Sequence, residues 1–318
     1  MIHILFTGGT ISMQHDPAAG GNVPAHDGEQ LVALVPGLDR ISPFRIDNWA
    51  RLPAAHLGPD RLWSLRKRVR EIQTGAGEGE RPRGIVITHG TDTIEETAYL
   101  LARTLEPSVP VVVTGAMRTS SDADWDGPRN LRDAVTVAAN LTSAGRGAMV
   151  VFAGRILAGH EAVKTDTMRL EAFSAPHGEA VGTVGDGHVS YRLPAVPPSR
   201  LPVEDLSPRV ALIPMVIGDR GELLDLARPT HDGVVIVAFG SGNLPPGAIP
   251  AIRRWLDDGK PVVLASRCPH GVVTPIYAFE GGGAGLVAMG VVPAGPRTPS
   301  QARLELVLSL SAGVPYGA

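Results

Sequence analysis

What most limits the folds open to this chain is an alternation. Short apolar runs rich in β-branched residues, at 2–6, 84–87, 109–113 and 148–152, are separated by stretches whose apolar residues recur every three or four positions, at 60–72, 93–105 and 127–140. Runs that short, bounded by turn residues, read as strands buried on both faces of a parallel sheet. The intervening periodicity is that of helices with one apolar stripe. Strand, helix, strand in repetition predicts βαβ units and a doubly wound sheet. After Val189 the text turns to Pro194, Pro197, Pro198, Pro202 and Pro208, which lack the backbone donors that regular elements use. Further strand-like runs follow at 210–213, 234–238 and 262–265, with helical stretches around Leu223 and Ile252. The expectation is a larger N-terminal α/β domain with a mainly parallel sheet over 1–190, a Pro-rich linker over 191–208, and a smaller C-terminal α/β domain over 209–318.

Charge and composition exclude several classes of function. The chain has 29 basic against 32 acidic residues, so it lacks the electrostatic footprint of a nucleic-acid binder. Its local cluster of Arg66, Lys67, Arg68 and Arg70 reads as the solvated face of one helix. One cysteine, Cys268, permits no internal disulfide, and no repeated Cys/His spacing marks a metal site. No stretch reaches membrane-spanning length, and Met1 leads directly into an apolar strand, so the expected setting is cytoplasmic. The Gly-rich piece at 280–285 is not followed by Gly-Lys-Ser/Thr, which argues against nucleotide binding.

Three segments carry chemistry. Thr7-Gly8-Gly9-Thr10-Ile11-Ser12 follows the first strand, at the sheet edge where ligands of open α/β folds gather. Glycines there permit unusual dihedrals and let backbone N–H groups approach a substrate oxygen, although Thr10 capping a short helix would account for the same letters. The run from Ile87 to Thr97, with Thr88, His89, Gly90, Thr91, Asp92 and Thr93, lands on the same edge. Asp92 or Thr93 would cap the following helix, and Glu95 and Glu96 suit its first turn. A hydroxyl beside a carboxylate at a strand end is also what a proton relay uses. The third segment is Lys164-Thr165-Asp166. An isolated lysine is ordinarily a surface residue; buried beside Asp92, it would assist proton removal through the Thr91 hydroxyl.

Together these segments resemble the L-asparaginase and glutaminase-asparaginase family over nearly the whole chain. The resemblance rests on 7–11, on 87–99, on Gly115-Ala116-Met117-Arg118 and on Asp126-Gly127-Pro128-Arg129-Asn130-Leu131. Weaker matches are Lys164-Thr165, Gly240 to Leu244 and 266–271. It implies that Thr10 attacks a side-chain amide to give an acyl-enzyme and ammonia, and that Thr91, Asp92 and Lys164 form a second catalytic group. It further implies that Asp92 receives the substrate's α-ammonium, that Gly9, Gly90 and Ala116 line the substrate, and that Asn243 reaches a neighbouring subunit's site. Such proteins work as homodimers or dimer-based homotetramers without a metal or organic cofactor.

The chain departs from the family pattern at three places. Residues 11–50 contain no tyrosine where the family's mobile segment supplies one; Asn22 or Val23 stands nearest. Ala54, Ala55 and His56 occupy the place of the serine and glutamine that hold the amino-acid head group, with His56 or Arg51 as compensating side chains. The partner-subunit acid falls near Tyr277, with Glu280 as a stand-in. The expected activity is hydrolysis of asparagine or a related amide such as glutamine. The alternative is an amino-acid or amide sensor that kept the fold with altered catalysis. A tRNA-linked amidotransferase subunit is disfavoured by the acidic charge balance.

Overall fold

The computed structural model describes residues 1–76 and 81–318, which divide into two compact units, Met1–Arg200 and Leu201–Ala318. In the first unit the strands are β1 (Ile2–Phe6), β2 (Met13–Asp16), β3 (Gly21–Pro24), β4 (Phe44–Asp47), β5 (Gly84–Thr88), β6 (Val111–Thr114), β7 (Ala148–Phe152), β8 (Arg155–Ala158), β9 (Val163–Lys164), β10 (Phe173–Ser174), β11 (Gly182–Gly185) and β12 (His188–Tyr191). Its α-helices are α1 (Gly28–Ala33), α2 (Leu38–Ile41), α3 (Pro59–Thr74), α4 (Ile94–Thr104) and α5 (Gly127–Ala139).

Eight strands form one sheet in the order β12-β11-β8-β7-β6-β5-β1-β4. The run from β4 through β1, β5 and β6 to β7 is parallel, whereas β8, β11 and β12 extend it antiparallel. The chain leaves β1 toward β4 on one side and later returns to lay β5 on the other, so strand order reverses at β1. Ligands of open α/β sheets bind at such a reversal, here beyond the carboxyl ends of β1 and its neighbours. All residues of β1, β5, β6 and β7 are buried. Leu5, Ile85, Ile87 and Val113 face one core with α3 and α4, while Ile4, Phe6, Val86 and Val112 face another with α5. Apolar residues on both faces explain why these strands read as continuous apolar runs.

Several expectations shift when tertiary structure is seen. The 109–113 run begins as a strand only at Val111, since Pro110 has no N–H and contributes its carbonyl to Ile85 N–H at 2.9 Å. The basic cluster at 66–70 is not a uniformly solvated face. Arg66 is buried, its guanidinium donating to the Thr104 carbonyl at 2.9 Å near the end of α4 and lying over the Trp63 ring at 4.8 Å. A long side chain buries its stem while its charge meets a helix C-terminus and an aromatic face. Arg68 pairs with Asp47 at 2.8 Å, leaving Lys67 and Arg70 as the exposed members.

In the second unit, β13 (Val210–Pro214), β14 (Gly233–Ala238), β15 (Val262–Ser266) and β16 (Val292–Pro293) make a parallel sheet in sequence order. Four helices accompany it: α6 (Glu222–Ala227), α7 (Ile249–Asp257), α8 (Gly283–Met289) and α9 (Pro299–Ala312). The Gly-rich piece at 280–285 runs into α8. Helix α9 starts with a reciprocal cap in which Thr298 and Gln301 each bond the other's backbone N–H. Among the described residues no helix is long and apolar enough to cross a membrane.

Candidate active site

The candidate site is built from turns that leave the carboxyl ends of neighbouring strands. Leu52 N–H donates to Thr7 O at 2.9 Å, and Gly9 N–H donates to Leu52 O at 3.1 Å. The Thr7 hydroxyl donates to Thr88 O at 2.8 Å. These bonds lash the turn after β1 to the segment after β4 on one side and to the end of β5 on the other. At Gly9, with φ 84°, a Cβ would lie 2.4 Å from both Cα and N of Gly90. Real Cβ atoms do not come that close, so the turns meet backbone on backbone because both carry glycine. A Cβ on Gly90 would in turn lie 2.6 Å from Ala54 Cβ.

This geometry corrects one expectation for Gly9. Its N–H is engaged by Leu52 O, so its contribution is the close approach of two turns and not donation to a substrate oxygen. Thr10 opens a one-turn 3-10 helix over Thr10–Ser12, and Gly9 occupies the capping position without any side-chain cap. Thr10 is therefore not a helix cap. It is half-buried, and its hydroxyl forms no hydrogen bond among the described residues.

The turn after β5 repeats the pattern. Thr91–Thr93 form a 3-10 turn leading into α4, and Thr93 at the helix start provides no side-chain cap. The Thr93 hydroxyl instead donates to Ala54 O at 3.4 Å, and Asp92 is turned toward Lys164. Only Glu95 and Glu96 occupy the first turn as the helix dipole favours. Lys164 Nζ lies 2.9 Å from the Thr91 hydroxyl and 2.8 Å from Asp92 Oδ1. Thr91 is buried and the lysine side chain is 18% exposed, whereas the Asp92 carboxylate is 69% exposed. The lysine's N–H donates to Glu95 Oε2 at 3.1 Å, and β9 pairs with β10 through Lys164 and Phe173. Next to it, Asp166 Oδ1 accepts the N–H groups of Met168 and Arg169, while Arg118 donates to Met168 O at 2.9 Å. The lysine is thus held by its strand pair, by α4 and by a loop tied to the turn after β6.

That last turn shows what the 115–118 and 126–131 motifs do physically. The Asp126 carboxylate accepts N–H groups of Met117 and Arg118 at 2.9–3.1 Å and the Asn130 side-chain amide at 3.0 Å. Asn130 also donates to Gly115 O and accepts from Ala153 N–H, each at 3.0 Å. Ala116 is completely buried in the core beneath α5. A carboxylate and an amide, both satisfied by backbone, fix the turn beside the site.

His89 carries a role that sequence reasoning left unassigned. It is fully buried; its Nδ1 donates to Gly90 O at 2.9 Å and its Nε2 accepts from the Thr97 hydroxyl at 2.9 Å. Burial pushes its pKa down to about 4, with the Gly90 bond opposing that only in part. A neutral imidazole therefore holds the Gly90 carbonyl. Because the folded value is below the ordinary 6.5, the unfolded chain binds the proton first as pH falls. Stability should be fully present above pH 6.5 and drain away toward pH 4, by about 3 kcal/mol in all. Urea unfolding at pH 7.5 and 4.5 measures this; a His89→Gln variant showing the same pH slope would refute it.

The remaining expected site residues are dispersed. Ala54 is buried against Gly90, while Ala55 and His56 are exposed on the same 3-10 turn, Ala54–His56. The Arg51 guanidinium lies 4.0 Å from the Asp27 carboxylate. Asn22 is exposed on β3 opposite His15, and Val23 pairs with Gln14. In the second unit, Asn243 Oδ1 accepts Gly283 N–H at 3.4 Å in the turn after β14. Tyr277 and Glu280 are exposed before α8, and the Tyr277 ring lies 5.6 Å from that of Phe279.

Comparison with known proteins matches this architecture. Residues 1–197 match the family model described as Asparaginase, N-terminal, and residues 209–316 match the Glutaminase/Asparaginase C-terminal domain. The chain is 37% identical over 319 residues to a probable L-asparaginase of Deinococcus radiodurans, covering 98% of this chain and 92% of that protein. It is 33% identical over 321 residues to L-asparaginase 2 of Escherichia coli, covering 98% and 88%. The crystal structure of a probable cytoplasmic L-asparaginase from Campylobacter jejuni superposes with a TM-score of 0.83 at 28% identity, covering 97% of this chain and 94% of that one. With both family domains matched in order and relatives aligned end to end, the chain belongs to the asparaginase family of amidohydrolases.

Proposed function

We propose that this protein hydrolyses the side-chain amide of a free amino acid, L-asparagine first and L-glutamine second, to the acid and ammonia. The observation that carries the reading is the lysine held between the Thr91 hydroxyl and the Asp92 carboxylate, on a turn in backbone contact with the one bearing Thr10. In this reading the Thr10 oxygen attacks the amide carbon and gives up its proton, the C–N bond breaks, and ammonia leaves with a proton delivered through the site. Water then attacks the threonyl ester, releasing the acid and restoring the hydroxyl. Lys164 serves as the proton acceptor and donor reached through Thr91, a task for which the contact distances are already suitable. Asp92 uses Oδ1 for Lys164, and the exposure of its carboxylate supports a role in meeting an α-ammonium.

Ala54 and Ala55 lack side-chain donors for an α-carboxylate, and each missing charge-assisted bond is worth about 1.5–3 kcal/mol. Weak binding of free asparagine, expressed as a high KM, follows. Completion of the site by Asn243 of a neighbouring copy, in a homodimer or homotetramer, belongs to the same proposal. A reducing, cytoplasmic setting suits a chain whose one cysteine, Cys268, is exposed and free.

The test is ammonia release from asparagine and glutamine, run beside thermal shifts with amino acids, amides and lactams. Lys164→Met should lower kcat by about a hundredfold or more with a smaller change in KM. A second reading, an amino-acid sensor without turnover, draws on the absence of any phenol on the β2–β3 hairpin, where Asn22 and Val23 stand. Thermal stabilisation with no ammonia from any amide would favour it over hydrolysis.

A further inference from the structure

A cavity of about 230 Å³ lies beside the Thr10 turn and takes in none of Thr91, Asp92 or Lys164. Its floor is the end of β1, Phe6 and Gly8, together with Ala50; its rim carries Arg51, Asp27 and His26. Ser12 and Asn48 also line it, but their polar atoms are spoken for. The Ser12 hydroxyl donates to Gly9 O at 2.9 Å. Asn48 accepts from Gly28 N–H at 2.7 Å and donates to Glu29 at 2.6 Å.

Three groups on the rim keep free valence. Asp27 spends Oδ1 on the N–H of Gln30 at 2.9 Å, capping α1, while its Oδ2 faces Arg51 across 4.0 Å. That separation exceeds a hydrogen bond, so the carboxylate lone pairs and guanidinium N–H groups are not consumed by each other. The Ser120 hydroxyl donates to Met13 O at 3.1 Å and so receives its bond from His26 Nε2 at 2.8 Å. This leaves His26 Nδ1 as an acceptor.

We infer that this cavity is a second small-molecule site, which takes a zwitterionic α-amino acid with its carboxylate on Arg51 and its ammonium on Asp27. The match is one of charge, spacing and size. A cation and an anion side by side over an apolar floor complement a ligand whose own opposite charges sit on a single carbon, and the filled site carries no uncompensated charge. A planar guanidinium binds a carboxylate in two-pronged fashion. The volume lies below the roughly 300–1,000 Å³ typical of pockets for drug-sized ligands, as a free amino acid requires. This site does not depend on turnover at Thr10.

Titration calorimetry with L-aspartate, which the protein does not consume, tests the inference on the intact chain. Asp27→Asn retains the helix cap, since Asn caps as well as Asp, and Arg51→Met retains the stem. Each should weaken one aspartate-binding event at least tenfold while leaving thermal unfolding in place. A crystal soaked in L-aspartate should show the ligand between Arg51 and Asp27. Aspartate binding that neither substitution alters, or soaked crystals with ligand only near Thr10 and Thr91, would overturn it.

Discussion

Thr10→Ala should reduce kcat for amide hydrolysis by about a thousandfold or more while the protein stays folded. The Thr10 hydroxyl makes no hydrogen bond among the described residues, so its loss leaves no buried partner unsatisfied. The cost falls on the covalent step alone. Thr91→Val should be comparably damaging for another reason. Valine has nearly the same shape, yet it removes the oxygen 2.9 Å from Lys164 Nζ and leaves the lysine with Asp92 only. Groups that act as one unit are not additive, so the double variant should be little worse than the poorer single. Ammonia release with a matched thermal unfolding curve decides the matter. Substantial turnover in both single variants would remove the threonine mechanism, whatever the family.

Gly9→Ala should be among the most destructive single-methyl changes in the molecule. The residue sits at φ 84°, where a side chain costs of order 1–3 kcal/mol, and the new Cβ would lie 2.4 Å from the Gly90 backbone. Neither neighbour is a flexible side chain that could yield. Relief requires the turns after β1 and β5 to separate, which moves Thr10 relative to Thr91. We expect a stability loss of about 3 kcal/mol or more, with activity falling further than stability alone explains. Gly20→Ala is the matched control. Its φ is 67°, but nothing lies within 4 Å of a Cβ there, so the expected loss is about 1 kcal/mol. Urea unfolding of the two variants compares them directly. A Gly9→Ala protein as stable and active as Gly20→Ala would mean that the turns have room to part.

Much of this was legible in the sequence because local pattern and covalent chemistry were enough. The buried strands β1, β5 and β7 are apolar on both faces and declare themselves without any partner. Once they are ordered, the turns bearing Thr10 and Thr91 must sit at their carboxyl ends. Other features depend on partners far away in the chain. Arg66 reads as a surface charge until the end of α4 and Trp63 are placed around it. Strands β8, β11 and β12 are short, partly exposed and turn-rich, so their pairing into the main sheet has no local signature. His89 looks like one letter of a motif until its burial makes it a neutral support for Gly90.

The sequence by itself determined the strand and helix alternation, the family, and which hydroxyls stand at strand ends, since each follows from periodicity or from several short runs of residues in order along the chain. Tertiary structure alone decided that Lys164, 73 residues from Thr91, meets its hydroxyl, and that Gly9 and Gly90 touch with no room for a methyl group. Distances between segments so far apart arise from how the sheet stacks its turns, and no local pattern of side chains encodes them.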